Sequence, residues 1–355
     1  MTTLFTPLTL GALTVTNRIF MAPLTRCRAE ADHVPGTLMA EHYAQRAGAG
    51  LIIAEATMAM AGNSAFWHEP GIYSEAQIAG WKQVTDAVHA TGGHIFLQIW
   101  HGGRACHPLL NDGGQPVAPS PLAIDGEVHT PAGKQPYVVP RELTDAEIPG
   151  IVAGFRQAAA NAKLAGFDGV EVHGANGYLL DEFLRDGSNQ RGGPYGGSRE
   201  NRARLLLEVT EAAAGVWGAD RVGVRISPLN SFNSMRDSDP VGLAAWLAER
   251  LNAYQLAYLH VMRADFFQQQ AGDVMTPVRE RYQGVLIGNM GYTPEEAEQA
   301  VASGLVDAVA FGVPFIANPD LPARIRARAS LNQADPDTFY TPGARGYTDY
   351  PALKD

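Results

Sequence analysis

Eight short apolar runs, separated by longer amphipathic or alanine-rich stretches, constrain the fold of this chain more than any other feature. Most of the runs are continuous rather than alternating, which is typical of parallel strands that are covered on both faces. Eight strand–helix units in one chain predict an α/β fold of the (β/α)8 type, the TIM barrel. A doubly wound sheet is the alternative, but no G-x-G-x-x-G pattern follows the first run. The predicted strands are residues 19–22, 51–56, 94–99, 169–172, 222–226, 256–260, 285–288 and 308–311.

Helical patterns lie between the predicted strands. In the last of them, Thr293 is the predicted N-cap, Pro294 is the first helical residue, and acidic residues occupy the first turn. The predicted helices are residues 74–90, 148–164, 200–216, 241–254 and 294–303, with a shorter helix-like run at 179–184.

Two segments interrupt this repeat. Residues 3–15 precede the first strand and predict a small hairpin around Gly11 that plugs the bottom of the barrel. Residues 102–143 form a long excursion after the third strand that is rich in glycine and proline. Because long insertions with turn-forming residues are usually lids or binding loops, we expect this excursion to cover the functional site.

Composition and charge exclude several classes of function. A chain of 355 residues with 46% apolar residues fits one barrel domain over residues 1–355. The net charge of −10 argues against nucleic acid and against an anionic membrane surface as partners. The first residues have no secretory signal pattern, and no apolar run approaches the roughly 20 residues that span a bilayer. Two cysteines make neither a disulfide framework nor a four-thiolate metal site, so we expect a cytoplasmic protein without a metal.

Polar residues follow or end several predicted strands. Because the carboxyl ends of barrel strands carry the chemistry of this fold, these side chains are candidates for a site. Glycine-rich segments follow the seventh and eighth strands, at residues 288–291 and at Gly312, where such barrels usually bind phosphate. A phosphate there, with polar groups nearer the axis, suits a phosphorylated aromatic cofactor such as flavin mononucleotide (FMN). The strand-end residues are Thr25, Gln98, His173 and Arg225.

The stretch after the fourth strand is the densest in reactive groups. His173, Asn176 and Tyr178 place an imidazole, an amide and a phenol on one loop at the carboxyl end of that strand. The first two are able to donate hydrogen bonds to a ligand oxygen, and the phenol is able to deliver a proton.

These motifs resemble the old yellow enzyme family of flavin-dependent ene-reductases, and the likeness runs over nearly the whole chain. No single motif is specific, but their order and spacing together are. The matching segments are MAPLTR at 21–26, EAT at 55–57, PGIY at 70–73, QIWHGGR at 98–104, HGAN at 173–176, YGGS at 195–198, RISP at 225–228, FG at 311–312, NPD at 318–320 and GYTDYP at 346–351.

The resemblance implies a tightly bound, non-covalent FMN. It implies that Thr25 bonds the flavin O4, that Gln98 pairs with the pyrimidine edge, and that Arg225 stabilises the anionic reduced ring beside N1 and O2. Taken alone, each residue also has a structural explanation. Thr25 would be a helix cap, Gln98 a polar side chain with its hydrogen bonds satisfied, and Arg225 a partner of a structural carboxylate. The other predicted cofactor contacts are Ala22, Pro23, Leu24, Ala56, Asn289, Met290, Gly291, Gly312 and Val313.

The resemblance also implies catalytic roles. His173 and Asn176 would grip a carbonyl or nitro oxygen of the substrate, through hydrogen bonds that strengthen as negative charge develops there. Tyr178, with an ordinary pKa near 10, would protonate the substrate α-carbon. Without the family context, the same residues would be a loop-stabilising pair and a buried tyrosine at a helix start. The predicted walls of the substrate pocket are Phe66, Trp100, Phe232, Phe266 and Tyr340.

Three positions depart from the family pattern. Val313 stands where the motif Phe-Gly-Arg places an arginine that clasps the cofactor phosphate. Because a charge-assisted hydrogen bond contributes roughly 1.5–3 kcal/mol, we expect FMN binding about ten- to a hundredfold weaker from this loss. Residues 192–194 replace polar and acidic residues, a change that we interpret as structural. Phe66 replaces a common pocket tyrosine, which would alter substrate preference rather than chemistry.

The expected activity is an ene-reductase that uses NADPH or NADH. Hydride would pass through the flavin N5 to the β-carbon of an α,β-unsaturated carbonyl, a maleimide or a nitroalkene, and Tyr178 would supply the proton. The expected partners are these small molecules, and the resemblance favours a monomer. Dienoyl-CoA reductases of this fold carry an iron–sulfur cluster, and the two cysteines of this chain are too few to hold one. Relatives that have a cysteine at the position of Thr25 are also disfavoured, because this chain has threonine there. Reduction of nitro-esters or nitroaromatics at the same site, or a redox-inactive phosphate-binding barrel, are the alternatives.

Overall fold

Eight parallel strands close into a barrel. The structure, a computed structural model, describes residues 2–353. In chain order its strands are β1 (Leu8–Leu10), β2 (Leu13–Val15), β3 (Ile19–Met21), β4 (Ile52–Met58), β5 (Ile95–Trp100), β6 (Val117–Ala118), β7 (Glu127–Thr130), β8 (Gly133–Pro136), β9 (Arg141–Glu142), β10 (Gly169–Gly174), β11 (Val222–Ile226), β12 (Tyr258–Met262), β13 (Leu286–Asn289) and β14 (Ala308–Phe311). The barrel runs β3-β4-β5-β10-β11-β12-β13-β14 and closes on β3, which confirms the predicted fold.

Helices alternate with the barrel strands. The predicted start of the helix at Pro294 is confirmed. The Thr293 side chain accepts a hydrogen bond from the Glu296 N–H, and the Glu296 carboxylate accepts one from the Thr293 N–H. The helices are α1 (Thr37–Ala44), α2 (Glu75–Ala90), α3 (Ile148–Leu164), α4 (Leu179–Leu184), α5 (Arg199–Trp217), α6 (Pro240–Leu251), α7 (Met275–Arg281), α8 (Pro294–Ala302), α9 (Val313–Ala317) and α10 (Leu321–Ala327). Of these, α1, α7, α9 and α10 were not among the predicted helices.

Several barrel strands extend beyond the predicted bounds. β4 and β5 continue to Met58 and Trp100, which pair with each other in register. β10 continues to Gly174, so His173 lies inside the strand, opposite Arg225 of β11, rather than after it. In β4 and β10 the predicted bounds were short because the polar residues Thr57 and His173 end the apolar runs, whereas the hydrogen-bonded ladder continues through both residues.

The amino-terminal hairpin closes the bottom of the barrel, as predicted. β1 and β2 pair antiparallel around Gly11, whose φ of +56° lies in the left-handed region that favours glycine. The Ala12 N–H donates to the Asp220 carbonyl at 3.1 Å, which fixes the turn against the segment before β11. Apolar side chains of the hairpin, Leu10 among them, pack with Phe20 and Phe96 in a cluster at the amino-terminal end of the barrel.

The excursion after β5 folds back over the opposite end. It contains an antiparallel pair, β7–β8, and a short parallel pair, β6–β9. Ile124 and Tyr137 from this excursion pack in one cluster with Tyr178, so the segment covers the predicted site. Among residues 2–353, no helix is both long enough and apolar enough to cross a membrane.

Candidate functional site

Buried polar side chains of neighbouring strands lie side by side inside the barrel. Glu171 of β10 faces Gln98 of β5 in register, and its carboxylate accepts from Gln98 Nε2 at 2.7 Å. The second carboxylate oxygen of Glu171 accepts from His260 Nδ1 at 2.8 Å. Both partners are therefore fixed by one fully buried carboxylate. Because Glu171 takes an amide hydrogen of Gln98, Gln98 Oε1 is left to accept a hydrogen bond from a ligand.

Arg225 brings a buried positive charge beside this group. Its Nη2 donates to Asn289 Oδ1 at 2.9 Å, and Asn289 Nδ2 donates to the Ala310 carbonyl at 2.7 Å. Burial lowers the pKa of the Arg225 guanidinium, and the carboxylate of Glu171 opposes that shift. Arg225 Nε is buried and has no acceptor within residues 2–353. A buried cation with a free N–H fits an anionic edge of a bound ligand.

His173 lies next to Arg225 and is buried, with 3% of its surface exposed. Burial, together with the charges of Arg225 and His260, holds its pKa well below the ordinary value. The imidazole is therefore neutral at pH 7. Its Nδ1 has no partner in the described part of the chain, so the ring is a hydrogen-bonding group without a protein partner.

Asn176 is held by three hydrogen bonds, and its amide N–H groups have no acceptor among residues 2–353. Its backbone N–H donates to Ser227 Oγ at 2.7 Å, and its Oδ1 and carbonyl accept from Asn230 and Asn233 at 2.9 and 3.0 Å. Its φ of +59° is a conformation that asparagine tolerates better than most residues. The side chain therefore presents Nδ2 as a donor beside the loop that carries His173.

Tyr178 completes the predicted triad. Its ring packs edge-on against Trp100 with centroids 4.4 Å apart, and it lies 5.2 Å from the His173 ring. Burial raises the pKa of the Tyr178 phenol well above its ordinary value, and the nearby Tyr137 and Tyr340 add to the shift. The phenol is thus protonated throughout the neutral range and is able to act as a proton donor.

Aromatic rings surround the triad. Phe66 lies 6.1 Å from the Trp100 ring and 6.0 Å from the Tyr340 ring, and Phe232 packs against the same cluster. Trp100 itself is fully buried behind Tyr178. Phe266 meets the Phe232 ring edge-on at 6.0 Å and is 46% exposed, so it lies at the rim.

The loops after β3, β4, β13 and β14 provide the remaining predicted cofactor contacts. Thr25 is half-buried, and its hydroxyl makes no hydrogen bond to residues 2–353. Leu24 approaches Gly312, which brings the loops after β3 and β14 together. Met290 and Gly291 both have left-handed φ values, and Val313 is 51% exposed. The predicted glycine-rich loop after the seventh strand begins later than expected, because Gly288 and Asn289 belong to β13. Buried Ala22 and Pro23 directly follow β3, and buried Ala56 lies within β4.

Sequence reasoning missed the residues that hold the triad in place. Asn230 is fully buried and orients the Asn176 amide, and Tyr137 covers the triad from the excursion. A groove of about 460 Å³ lies between the excursion and the loop after β11, lined by Ile124, Tyr137, Phe232, Met235 and Phe267, among others. Of these residues only Phe232 was predicted from the sequence; the others belong to no strand-end motif, so no sequence signal pointed to them. The roles assigned to individual site residues stay predictions.

Comparison with known proteins matches this chain to a family. The family described as NADH:flavin oxidoreductase / NADH oxidase matches residues 3–332. A probable flavin mononucleotide-dependent alkene reductase of Leishmania infantum is 51% identical, over 98% of this chain and 96% of that protein. The 12-oxophytodienoate reductase 7 of Oryza sativa subsp. japonica is 45% identical, over 99% of this chain and 94% of its own length.

Solved structures agree with these relatives. The old yellow enzyme from Trypanosoma cruzi superposes with a TM-score of 0.96 at 48% identity and covers 99% of both chains. Morphinone reductase in complex with tetrahydroNAD superposes with a TM-score of 0.95 at 48% identity, over 100% of this chain and 99% of that one. With its barrel, its strand-end polar groups and these matches over its full length, the chain belongs to the NADH:flavin oxidoreductase / NADH oxidase family.

Proposed function

We propose that this protein is an FMN-dependent ene-reductase that uses NADPH or NADH to reduce activated C=C bonds. The observation that carries the proposal is the triad: a neutral His173, an Asn176 amide with free N–H groups, and a protonated Tyr178 on one short segment. The alkene reductase of Leishmania infantum, half identical over the full chain, supports this assignment. The substrates are α,β-unsaturated carbonyls, maleimides or nitroalkenes.

The groups left without partners fit a flavin. Arg225 Nε, Gln98 Oε1 and the Thr25 hydroxyl are a cation, an acceptor and a donor at neighbouring strand ends. They match the anionic edge, the pyrimidine N–H and a carbonyl of the isoalloxazine ring. FMN, when bound there, supplies a hydride that it has taken from the nicotinamide. The Ala22–Leu24 segment, Ala56 and residues 289–291 and 312–313 provide the remaining contacts.

The triad binds and protonates the substrate. The donors of His173 and Asn176 bind the carbonyl or nitro oxygen, and they stabilise the negative charge that grows on this oxygen as hydride reaches the β-carbon. Asn230 holds the Asn176 amide in the donating orientation. Tyr178 then gives its phenolic proton to the α-carbon. Its raised pKa keeps the hydroxyl protonated at neutral pH, so the proton is available for this step.

The aromatic surroundings favour flat, uncharged substrates. Phe66, Trp100 and Tyr340 wall the site without contributing a charge, and Phe232 and Phe266 close it from the other side. The nicotinamide enters the same space before the alkene does. Morphinone reductase, solved with tetrahydroNAD, supports a nicotinamide-type reductant.

The test is turnover with chemically distinct acceptors. The purified protein is incubated with NADPH and cyclohexenone, N-ethylmaleimide or a nitroaromatic, and the products are identified by mass. The proposal predicts cyclohexanone and the succinimide in amounts equal to the NADPH consumed. Turnover with nitro compounds alone would favour the nitro-reductase alternative, and binding of phosphate or phenols without any turnover would favour the redox-inactive barrel.

The proposal also covers the domain organisation, oligomeric state, compartment and partners of the enzyme. Residues 1–355 act as a single FMN-binding domain, and the protein works as a monomer in the cytoplasm. Two free, buried cysteines are compatible with a reducing compartment. Partners are the alkene and the nicotinamide alone, since the net charge of −10 disfavours nucleic acid.

A further inference from the structure

Arg263 holds the loop after β13 through its guanidinium. It directly follows β12, and its guanidinium donates from Nε to the Met290 carbonyl at 2.9 Å and from Nη2 to the Gly291 carbonyl at 2.8 Å. The guanidinium also lies over the Tyr292 ring, 3.6 Å from its centroid. Two hydrogen bonds and a cation–π contact therefore fix three consecutive residues of this loop.

The same arginine joins the loop to the helix that follows. Its Nη2 donates to Glu296 Oε2 at 3.0 Å, and that oxygen also accepts from the Thr293 N–H at 3.0 Å. Thr293 and Glu296 form the capping box of α8. The loop is thus held at both ends, by β13 and by the first turn of α8.

This grip determines where the backbone N–H groups of the loop point. All described peptide bonds are trans, so each N–H points away from the carbonyl of its own peptide unit. Because the carbonyls of Met290 and Gly291 face Arg263, the N–H groups of Gly291 and Tyr292 face the opposite way. β12 and β14 flank β13 on opposite sides, and Arg263 directly follows β12, so these two N–H groups face away from Arg263 at the end of β12. Neither donates to an acceptor among residues 2–353.

The loop needs external support to keep this shape. Met290 has a φ of +83° and Gly291 a φ of +68°. A left-handed conformation is unfavourable for a residue with a side chain such as Met290, and it persists only where the surroundings impose it. The contacts of Arg263 to the two adjacent carbonyls supply that constraint.

We propose that Arg263 is the positioning residue of the cofactor phosphate. It orients the N–H groups of Gly291 and Tyr292 toward the phosphate, which would lie between the ends of β13 and β14, beside Val313 at the position where the family pattern has an arginine. The inference rests on the proposed FMN dependence. Arg263 acts through the backbone, so its effect is confined to the phosphate and does not extend to the isoalloxazine ring.

The test is a competition between FMN and riboflavin, which lacks the phosphate. Each full-length protein is equilibrated with a mixture of both flavins and separated from free flavin, and the ratio of bound FMN to bound riboflavin is measured by chromatography. Arg263→Met keeps an apolar side chain beside Tyr292 and removes the guanidinium fork. We expect this ratio to fall about ten- to a hundredfold, as the loss of charge-assisted contacts implies. Because Lys lacks the fork, Arg263→Lys should not restore the ratio.

The matched control is Arg279→Met. Like Arg263, Arg279 donates to two loop carbonyls and a carboxylate, namely the carbonyls of Tyr282 and Gly284 and the carboxylate of Asp307. Its loop, however, precedes β13 rather than following it. Its loss should leave the flavin ratio unchanged even if less protein is folded, because the ratio does not depend on the folded fraction. A second variant, Val313→Arg, should raise the ratio and reduce the effect of Arg263→Met.

The outcomes separate the two claims. If Arg263→Met lowers FMN and riboflavin binding equally, or lowers neither, Arg263 has only a structural role and the positioning proposal is overturned. If the unmodified protein takes up neither flavin, the proposed FMN dependence itself is contradicted, whatever the variants do.

Discussion

At the scale of single residues, neutral forms of titratable groups prepare the site for its reaction. His173 is kept uncharged by burial and by the cation of Arg225, and Tyr178 is kept protonated by burial. Neither group changes charge near pH 7, so both keep, over the physiological range, the protonation state that the proposed reaction requires.

The role of Tyr178 predicts a selective defect. Replacing the phenol in Tyr178→Phe removes the proton donor but keeps the ring against Trp100, so alkene reduction should slow by about 10²–10⁴-fold. Reduction of the flavin by NADPH needs no such proton and should stay within about twofold. Stopped-flow absorbance measures the two half-reactions separately, with the remote Tyr254→Phe as the control. A parallel loss in both half-reactions would show that the role assigned to Tyr178 is wrong.

Glu69 predicts a pH-dependent stability. It is fully buried, and burial raises the pKa of its carboxyl from 4.5 to about 8, with Oε2 unpartnered among residues 2–353. Because the folded state retains the proton to higher pH than the unfolded state, the stabilisation is complete below pH 4.5 and is lost as the pH rises through about 8. The loss approaches about 1.4 kcal/mol per pH unit.

Glu69→Gln removes this dependence because the amide does not ionise, while its oxygen keeps the bond from the Ala65 N–H. The free energy of unfolding in urea, measured from about pH 5 to pH 8, should fall more steeply for the unmodified protein than for the variant. The exposed Glu249→Gln should follow the unmodified protein. Identical slopes for all three would rule out a buried, protonated Glu69.

At the scale of elements, the sequence predicted the barrel well and its short helices poorly. All eight barrel strands were located because continuous apolar runs persist wherever both faces of a strand are buried. α9 and α10 were missed because five to seven residues with an early proline are too short to show a helical period. These helices form through tertiary contacts after β14 rather than through their own pattern.

The candidate site likewise contains residues that the sequence predicted and residues that it did not. His173, Gln98 and Arg225 were predicted because they lie in motifs at strand ends. Glu171 and His260 were not, although Glu171 accepts a hydrogen bond from Gln98 and His260 lies within hydrogen-bonding distance of Glu171. Their partnership depends on the register between β5, β10 and β12, and this register becomes known only once the barrel has closed.

The hairpin plug gives a prediction at this scale. Leu10 is fully buried among Phe20 and Phe96 at the bottom of the barrel, so Leu10→Ala should reduce the free energy of unfolding by about 2–5 kcal/mol. The exposed neighbour in Thr9→Ala should change it by no more than about 0.5 kcal/mol. Alkene reduction at 25 °C should be unaltered in both, since the site lies at the other end. A Leu10→Ala variant as stable as Thr9→Ala would contradict the plug.

At the scale of the whole molecule, one chain supplies every group that the proposed reaction uses. The proposed cofactor contacts lie on or after β3, β4, β5, β11, β13 and β14, and the proposed triad lies at the end of β10 and in the loop after it, so the proposed site draws on one chain. We therefore expect the protein to sediment as a single species of about 38 kDa at micromolar concentration. Sedimentation at twice that mass, with activity lost on dilution, would mean that a partner copy completes the site.

The central claim is that this barrel passes hydride from a nicotinamide to an activated alkene through FMN. It is tested most directly by the visible spectrum of the purified protein, reduced without oxygen by NADPH and then given cyclohexenone. We expect a yellow protein that bleaches with NADPH and regains its colour in step with formation of cyclohexanone. A yellow protein that bleaches but never recovers with the enone would contradict the alkene-reductase assignment and leave only the flavin.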